Sequence, residues 1–233
     1  MSFDPASRPP SAPVNPLPPV VILLAVAIFV VELVFTLTGQ GVIGGPEASG
    51  FRLTAIENFG FYEPLMQWMV ENQTVRGKYL VRFLTYPFLQ GSFTQAVFAI
   101  VFVLALGKMV AERQSQWAVL AIFFGASIIG ALVYGIVWDT RVPLFGAYPG
   151  AYGLVGGFTL LLWAQLGATG GRQVQAFALI GLLLAIQFIF GLFFGAGKAW
   201  VAEVAGFVSG FGIAFLANPG QWDRIVSRLR ERR

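Results

Sequence analysis

The sequence predicts an all-α integral membrane protein, six transmembrane helices in one bundle with a long loop between the first and second. Three observations predict it. The 233 residues are 57% hydrophobic and only 11% charged, with mean hydropathy +0.74, whereas a soluble domain carries roughly 25% charged residues. Six apolar runs, at about 20–38, 93–111, 116–137, 147–167, 173–196 and 199–217, are each close to the roughly 20 residues that cross a hydrocarbon core. One connection, 39–92, is far longer than the rest. The chain has no cysteine and no histidine. That excludes disulfides, thiolate metal sites and cysteine nucleophiles, and removes the usual general base and the commonest metal ligand. No cofactor, metal or nucleic-acid partner is implied; the bilayer is.

The elements follow in order. Residues 1–19 hold seven of the 13 prolines and read as a disordered tail. Run one is longer than the apolar part of a secretory signal, so it reads as an anchored helix; its Glu32 either snorkels to the interface or caps the long loop. In that loop, Phe61, Tyr62, Leu65, Met66, Trp68 and Met69 suggest an interfacial amphipathic helix over 61–72. The second run is the weakest, with Thr94, Gln95 and Lys108 near its ends. Residues 20–217 form the membrane domain. The tail 218–233 sets Trp222, Ile225, Val226 and Leu229 on one stripe flanked by five arginines, as in a helix on an anionic inner leaflet or a solvated basic tail. With both ends on one side, that side holds nine Lys/Arg residues and the other six. Four of those six lie in the long loop, where they weigh less, so both termini are predicted cytoplasmic. The expected location is a bacterial inner membrane.

Runs four and six carry a packing signal. Gly146, Gly150, Gly153 and Gly157 recur three or four apart, and Ala202, Gly206 and Gly210 form an i, i+4, i+8 ridge. Small residues at that spacing let backbones approach closely in lipid, so these two helices are predicted to touch. Pro149 suits a first helical turn. Gly146-Ala147-Tyr148 before it is then non-helical backbone at membrane depth, which must be buried by protein or reached by water.

With these features in place, the chain resembles the rhomboid family of intramembrane serine proteases over 20–217. The stretch "VRFLTYPFLQGSFTQAVFA" is similar to that family's Arg-x-x-Thr segment, with Arg82 and Thr85, followed by a His-Gly-Ser-like turn and His-x-x-x-Asn. "GAYPGAYGLVG" is similar to Gly-x-Ser-Gly-x-x-Tyr-x-Leu-x-Gly, with Gly146, Tyr152, Leu154 and Gly156 in register. "AEVAGFVSG" is similar to Ala-His-x-x-Gly-x-x-x-Gly, with Gly206 and Gly210 in register.

The departures fall on the chemistry the resemblance implies. Tyr148 stands at the nucleophilic serine position, with Pro149 beside it, and Glu203 at the general-base histidine position. Gln95 and Ala99 occupy the oxyanion-side positions, and only Gln95 keeps a donor. A phenol titrates near 10 and a carboxylate is a weak base for its proton. Ser127 and Ser209 lack an evident activator. The expectation is a pseudoprotease, in which Glu203 hydrogen-bonds the Tyr148 hydroxyl; alternatively Glu203 faces a water-filled pocket that Tyr148 plugs. The resemblance implies a lateral opening and locally thinned lipid, features with which inactive members hold or escort transmembrane helices of client proteins. The competing functions are a residual intramembrane endopeptidase and a static subunit of a membrane complex.

Overall fold

The computed structural model describes residues 16–45, 48, 50–194 and 197–217. The expected proline-rich tail up to residue 15 and the basic tail from residue 218 lie outside them. Among the described residues the chain is all-helical, apart from one antiparallel bridge between Phe61 and Leu144. The helices are α1 (Pro19–Gly39), α2 (Phe51–Phe59), α3 (Glu63–Glu71), α4 (Gly77–Leu80), α5 (Arg82–Thr85), α6 (Phe93–Arg113), α7 (Gln116–Val137), α8 (Tyr148–Ala168), α9 (Ala178–Phe194) and α10 (Trp200–Leu216). Short 3₁₀ turns at Tyr86–Phe88 and Gln173–Phe177 lead into α6 and α9.

Four helices, α1, α6, α7 and α8, are long and apolar enough to cross a membrane. α10, with 17 residues, is a shorter apolar helix, as is the stretch Gln173–Ile186 that leads into α9. The protein is therefore an integral membrane protein with four long apolar helices and shorter ones beside them. Local chemistry sets the boundaries. Ser92 and Ser115 open α6 and α7, their Oγ atoms accepting from the N–H groups of Gln95 and Ala118, which satisfies one of the orphan donors at each helix start. Pro19 and Pro149 sit in first turns, where the missing N–H has no partner to lose.

α8 is the central helix. Its buried residues run almost without interruption from Pro149 to Gly157, and α10, α7 and α6 surround it. The predicted contact between runs four and six is the most extensive in the bundle. A Cβ on Gly206 would strike the Pro149 carbonyl, one on Gly210 the backbone of Gly153, and one on Gly156 the backbone of Phe207. Gly150 and Gly157 serve another neighbour: Cβ atoms there would meet Phe123 and Ser127, and Ile122, all on α7.

The long loop is mostly helical. α3 occupies the segment predicted as an interfacial helix, and Trp68 is exposed on it. Phe61 behaves differently from that expectation. It is 2% exposed, packed against Phe83 and Tyr134 with ring centroids 4.9 and 6.5 Å away. Its backbone exchanges both hydrogen bonds with Leu144, at 3.0 and 2.8 Å. Pairing with the α7–α8 connection draws it inward, away from the headgroups.

Candidate functional site at the entry of α8

The segment between α7 and α8 is pinned to the long loop as it enters the bundle. Leu144 is held by Phe61, and the N–H of Gly146 donates to the Tyr86 carbonyl at 3.0 Å. Gly146 has φ +105°, a conformation that side-chain-bearing residues rarely adopt. Tyr86 is itself fixed: fully buried, it donates its hydroxyl to the Ser127 carbonyl at 2.7 Å, and burial pushes that phenol's pKa far up. The helix starts at Tyr148, one residue earlier than expected. Of the Gly146-Ala147-Tyr148 backbone predicted to be non-helical only Gly146 and Ala147 are, and both are buried. Pro149 in the first turn has no N–H to lose, so the helix can begin before it.

Three helices bring side chains to this entry. Tyr148, half-buried, is the first residue of α8 and packs against the main core. Glu203, 6% exposed, lies in the first turn of α10, where a carboxylate is favoured by the helix dipole. It interacts electrostatically with the phenols of both Tyr148 and Tyr152. From α6, Gln95 turns its Oε1 to the Gly91 N–H at 3.1 Å. Its Nε2 lies 2.9 Å from the place a Cβ on Gly146 would occupy. Ala99, one turn further along α6, is fully buried in the same core as Ala147 and Tyr152. Tyr148 and Glu203 thus meet between α8 and α10, with Gln95 of α6 beside Gly146 at the start of the same entry.

Arg82 does not join them. It is buried under the long loop, where Nη1 donates to the carbonyls of Glu57 and Gly60, both at 2.9 Å. The guanidinium lies over the Tyr62 ring at 5.6 Å. Desolvation lowers its pKa, an effect partly opposed by Tyr62 and Tyr79. Arg82 therefore ties α2 and α3 to α5 and supports the loop that holds Gly146.

Sequence reasoning singled out Glu32 but missed Arg52 and Gln90. Glu32 is buried rather than snorkelling: 1% exposed, it holds the long loop through a bidentate pair with Arg52 of α2, at 2.7 and 2.9 Å. Arg52 also donates to the Gln90 carbonyl at 2.6 Å and lies over the Phe35 ring. Gln90, fully buried, directs its Oε1 toward Gly146. An intramembrane acid predicts a cationic partner, and Arg52 was available in the adjoining loop; nothing in the sequence marked Gln90.

The chemistry open to this arrangement is narrow. The hydroxyls of Ser127 and Ser209 donate to the carbonyls of Phe123 and Gly206, at 2.8 and 3.0 Å. Each is spent on its own helix. Among the described residues no three potential metal ligands converge.

The model of the rhomboid domain matches residues 77–219. The chain belongs to the rhomboid family. The match spans α4 to α10 and includes Arg82, Gln95, Tyr148 and Glu203, while α1 to α3 precede it. No curated protein matches the chain.

Proposed function

We propose that this rhomboid-family membrane protein is a pseudoprotease that binds or escorts transmembrane segments of client proteins. One observation carries the reading: the first residue of α8 is a tyrosine in electrostatic contact with a glutamate on α10. In the family's arrangement the same two places would hold the nucleophile and its base. The bulky ring takes the space a scissile carbonyl would need. Ala99 offers no oxyanion donor, and loss of one such donor alone costs about 10²–10³ in rate. Gln95 keeps a donor facing Gly146, enough to bind a carbonyl without cleaving it. In this reading Glu203 hydrogen-bonds the Tyr148 hydroxyl and ties α10 to α8. Gly146, Pro149, Gly150, Gly153, Gly157, Gly206, Gly210, Tyr152 and Arg82 hold the scaffold.

The membrane arrangement that goes with this reading has six spans, with both termini in the cytoplasm of a bacterial cell. α10, at 17 residues, is about 25 Å long at 1.5 Å per residue. That is shorter than a hydrocarbon core of about 30 Å, and such mismatch is accommodated by thinning the bilayer. Thinner lipid beside the bundle favours entry of a client helix with polar or bent backbone.

Protein reconstituted in vesicles with a panel of transmembrane substrates is expected to cleave none of them. Crosslinking from native membranes is expected to recover transmembrane proteins in less than stoichiometric amounts. Cleavage of any panel member would make the protein an endopeptidase, and a fixed stoichiometric partner would make it a complex subunit.

A further inference from the structure

A groove of about 350 Å³ lies between α7 and α10. Ile129 and Val133 form one wall, and Trp200, Val204, Ala205 and Val208 the other. It exists because Ala205 is small beside the branched residues on either side. Ser209 is its one polar contributor, and that hydroxyl is already donated to the Gly206 carbonyl. With the Trp200 indole N–H its only other hydrogen-bonding group, a lining this apolar favours hydrocarbon over polar groups.

The two helices bounding the groove end at a common charged feature. Trp138 closes α7, and Lys198, two residues before α10, holds its ammonium 5.3 Å from the centre of the Trp138 ring. Among the described residues no carboxylate forms an ion pair with Lys198. Asp139, next to Trp138, and Arg141 are both exposed, and neither forms an ion pair among the described residues. Aromatic rings stacked with a lysine at a helix end are the usual furniture of headgroup depth. An apolar channel below a cation, in that order along the membrane normal, matches a phospholipid.

We propose that the α7–α10 groove is a binding site for an anionic phospholipid, with the phosphate at Lys198 and an acyl chain along Val133, Ala205 and Val208. Charge complementarity selects lipid over a second copy of the chain or a client helix. The helix faces lining the groove present no anion for Lys198 to meet across a like-with-like contact.

The chain has no cysteine, so Val208→Cys, at a position 63% exposed, takes a fluorophore at a single site. Quenching by doxyl-labelled phosphatidylglycerol and phosphatidylcholine in vesicles then measures which lipid occupies the groove, independently of basic residues elsewhere. The expected result is a preference for phosphatidylglycerol of about fivefold, the scale of one lysine at an anionic surface. Lys198→Gln should bring it to parity and Lys198→Arg should preserve it. Ala205→Phe should weaken quenching by both lipids. Ile129→Cys gives a second labelling position should the first variant fail to fold. Equal quenching by the two lipids in the parent, or an undiminished preference in Lys198→Gln, would overturn the proposal. So would protection from both lipids together with crosslinking between copies at position 208.

Discussion

Where α8 meets α10, backbone lies against backbone, with Gly206 on Pro149 and Gly210 on Gly153. Where α1 meets the long loop, the joint is an ion pair, Glu32 with Arg52, extended to the Gln90 carbonyl. The first joint has no side chain that can move aside, so it fixes the helix entry rigidly. The second can be loosened by removing a charge without a steric clash. The first lies within the rhomboid-domain match and the second joins α1 and α2, which lie outside it. A membrane bundle can thus anchor its central helix by packing and attach its first helix by electrostatics, and the two should fail differently.

The largest effect is expected from Gly210→Val. The added atoms meet the Gly153 backbone, which cannot yield. The cost should therefore exceed the roughly 1–3 kcal/mol typical of overpacking and the loss expected for any other variant here, read as loss of folded protein in thermal melts. Arg52→Ala comes next. It strands the Glu32 carboxylate in the bundle, and breaking a buried pair costs about 3–5 kcal/mol. Since the Arg52 side chain is 25% exposed, a loss nearer the low end is expected. The double variant Glu32→Gln/Arg52→Gln should recover part of it. Equal losses for the single and double variants would show that charge is not what holds this joint.

Within the rigid joint, Tyr148→Phe and Glu203→Gln should be non-additive by about 1 kcal/mol, inside the range for residues in contact. Strict additivity would remove the proposed hydrogen bond and leave Tyr148 as a plug. The smallest effect is expected from Tyr86→Phe, which deletes one hydrogen bond worth about 0.5–1.5 kcal/mol. Because burial raises this phenol's pKa above its ordinary 10.0, its contribution is complete below pH 10 and declines as pH rises further. Melts between pH 8 and 11 should show a shallower alkaline loss in the Phe variant.

Much of the bundle was legible because its determinants are local. Apolar length marked the four long helices, and glycine spacing marked the α8–α10 contact, since only small residues permit it. Tyr148 and Glu203 could be placed opposite one another because each falls at a fixed offset from a motif glycine of α8 or α10. The Phe61–Leu144 bridge and the Glu32–Arg52–Gln90 chain were not legible. They depend on which parts of a long loop fold back, and no periodicity encodes that. Phe61 carries the same aromatic signal whether it faces lipid or a buried backbone partner. The motif position of Arg82 was visible in the sequence, but its partners, two backbone carbonyls of α2 and the turn after it, required the fold.

The proposed pseudoprotease has the α8 entry of a rhomboid without its nucleophile. Labelling of the reconstituted full chain with a serine-directed fluorophosphonate, read by mass spectrometry, tests this proposal most directly. No adduct is expected on any serine, Ser127 and Ser209 included. A stoichiometric adduct on either would contradict it.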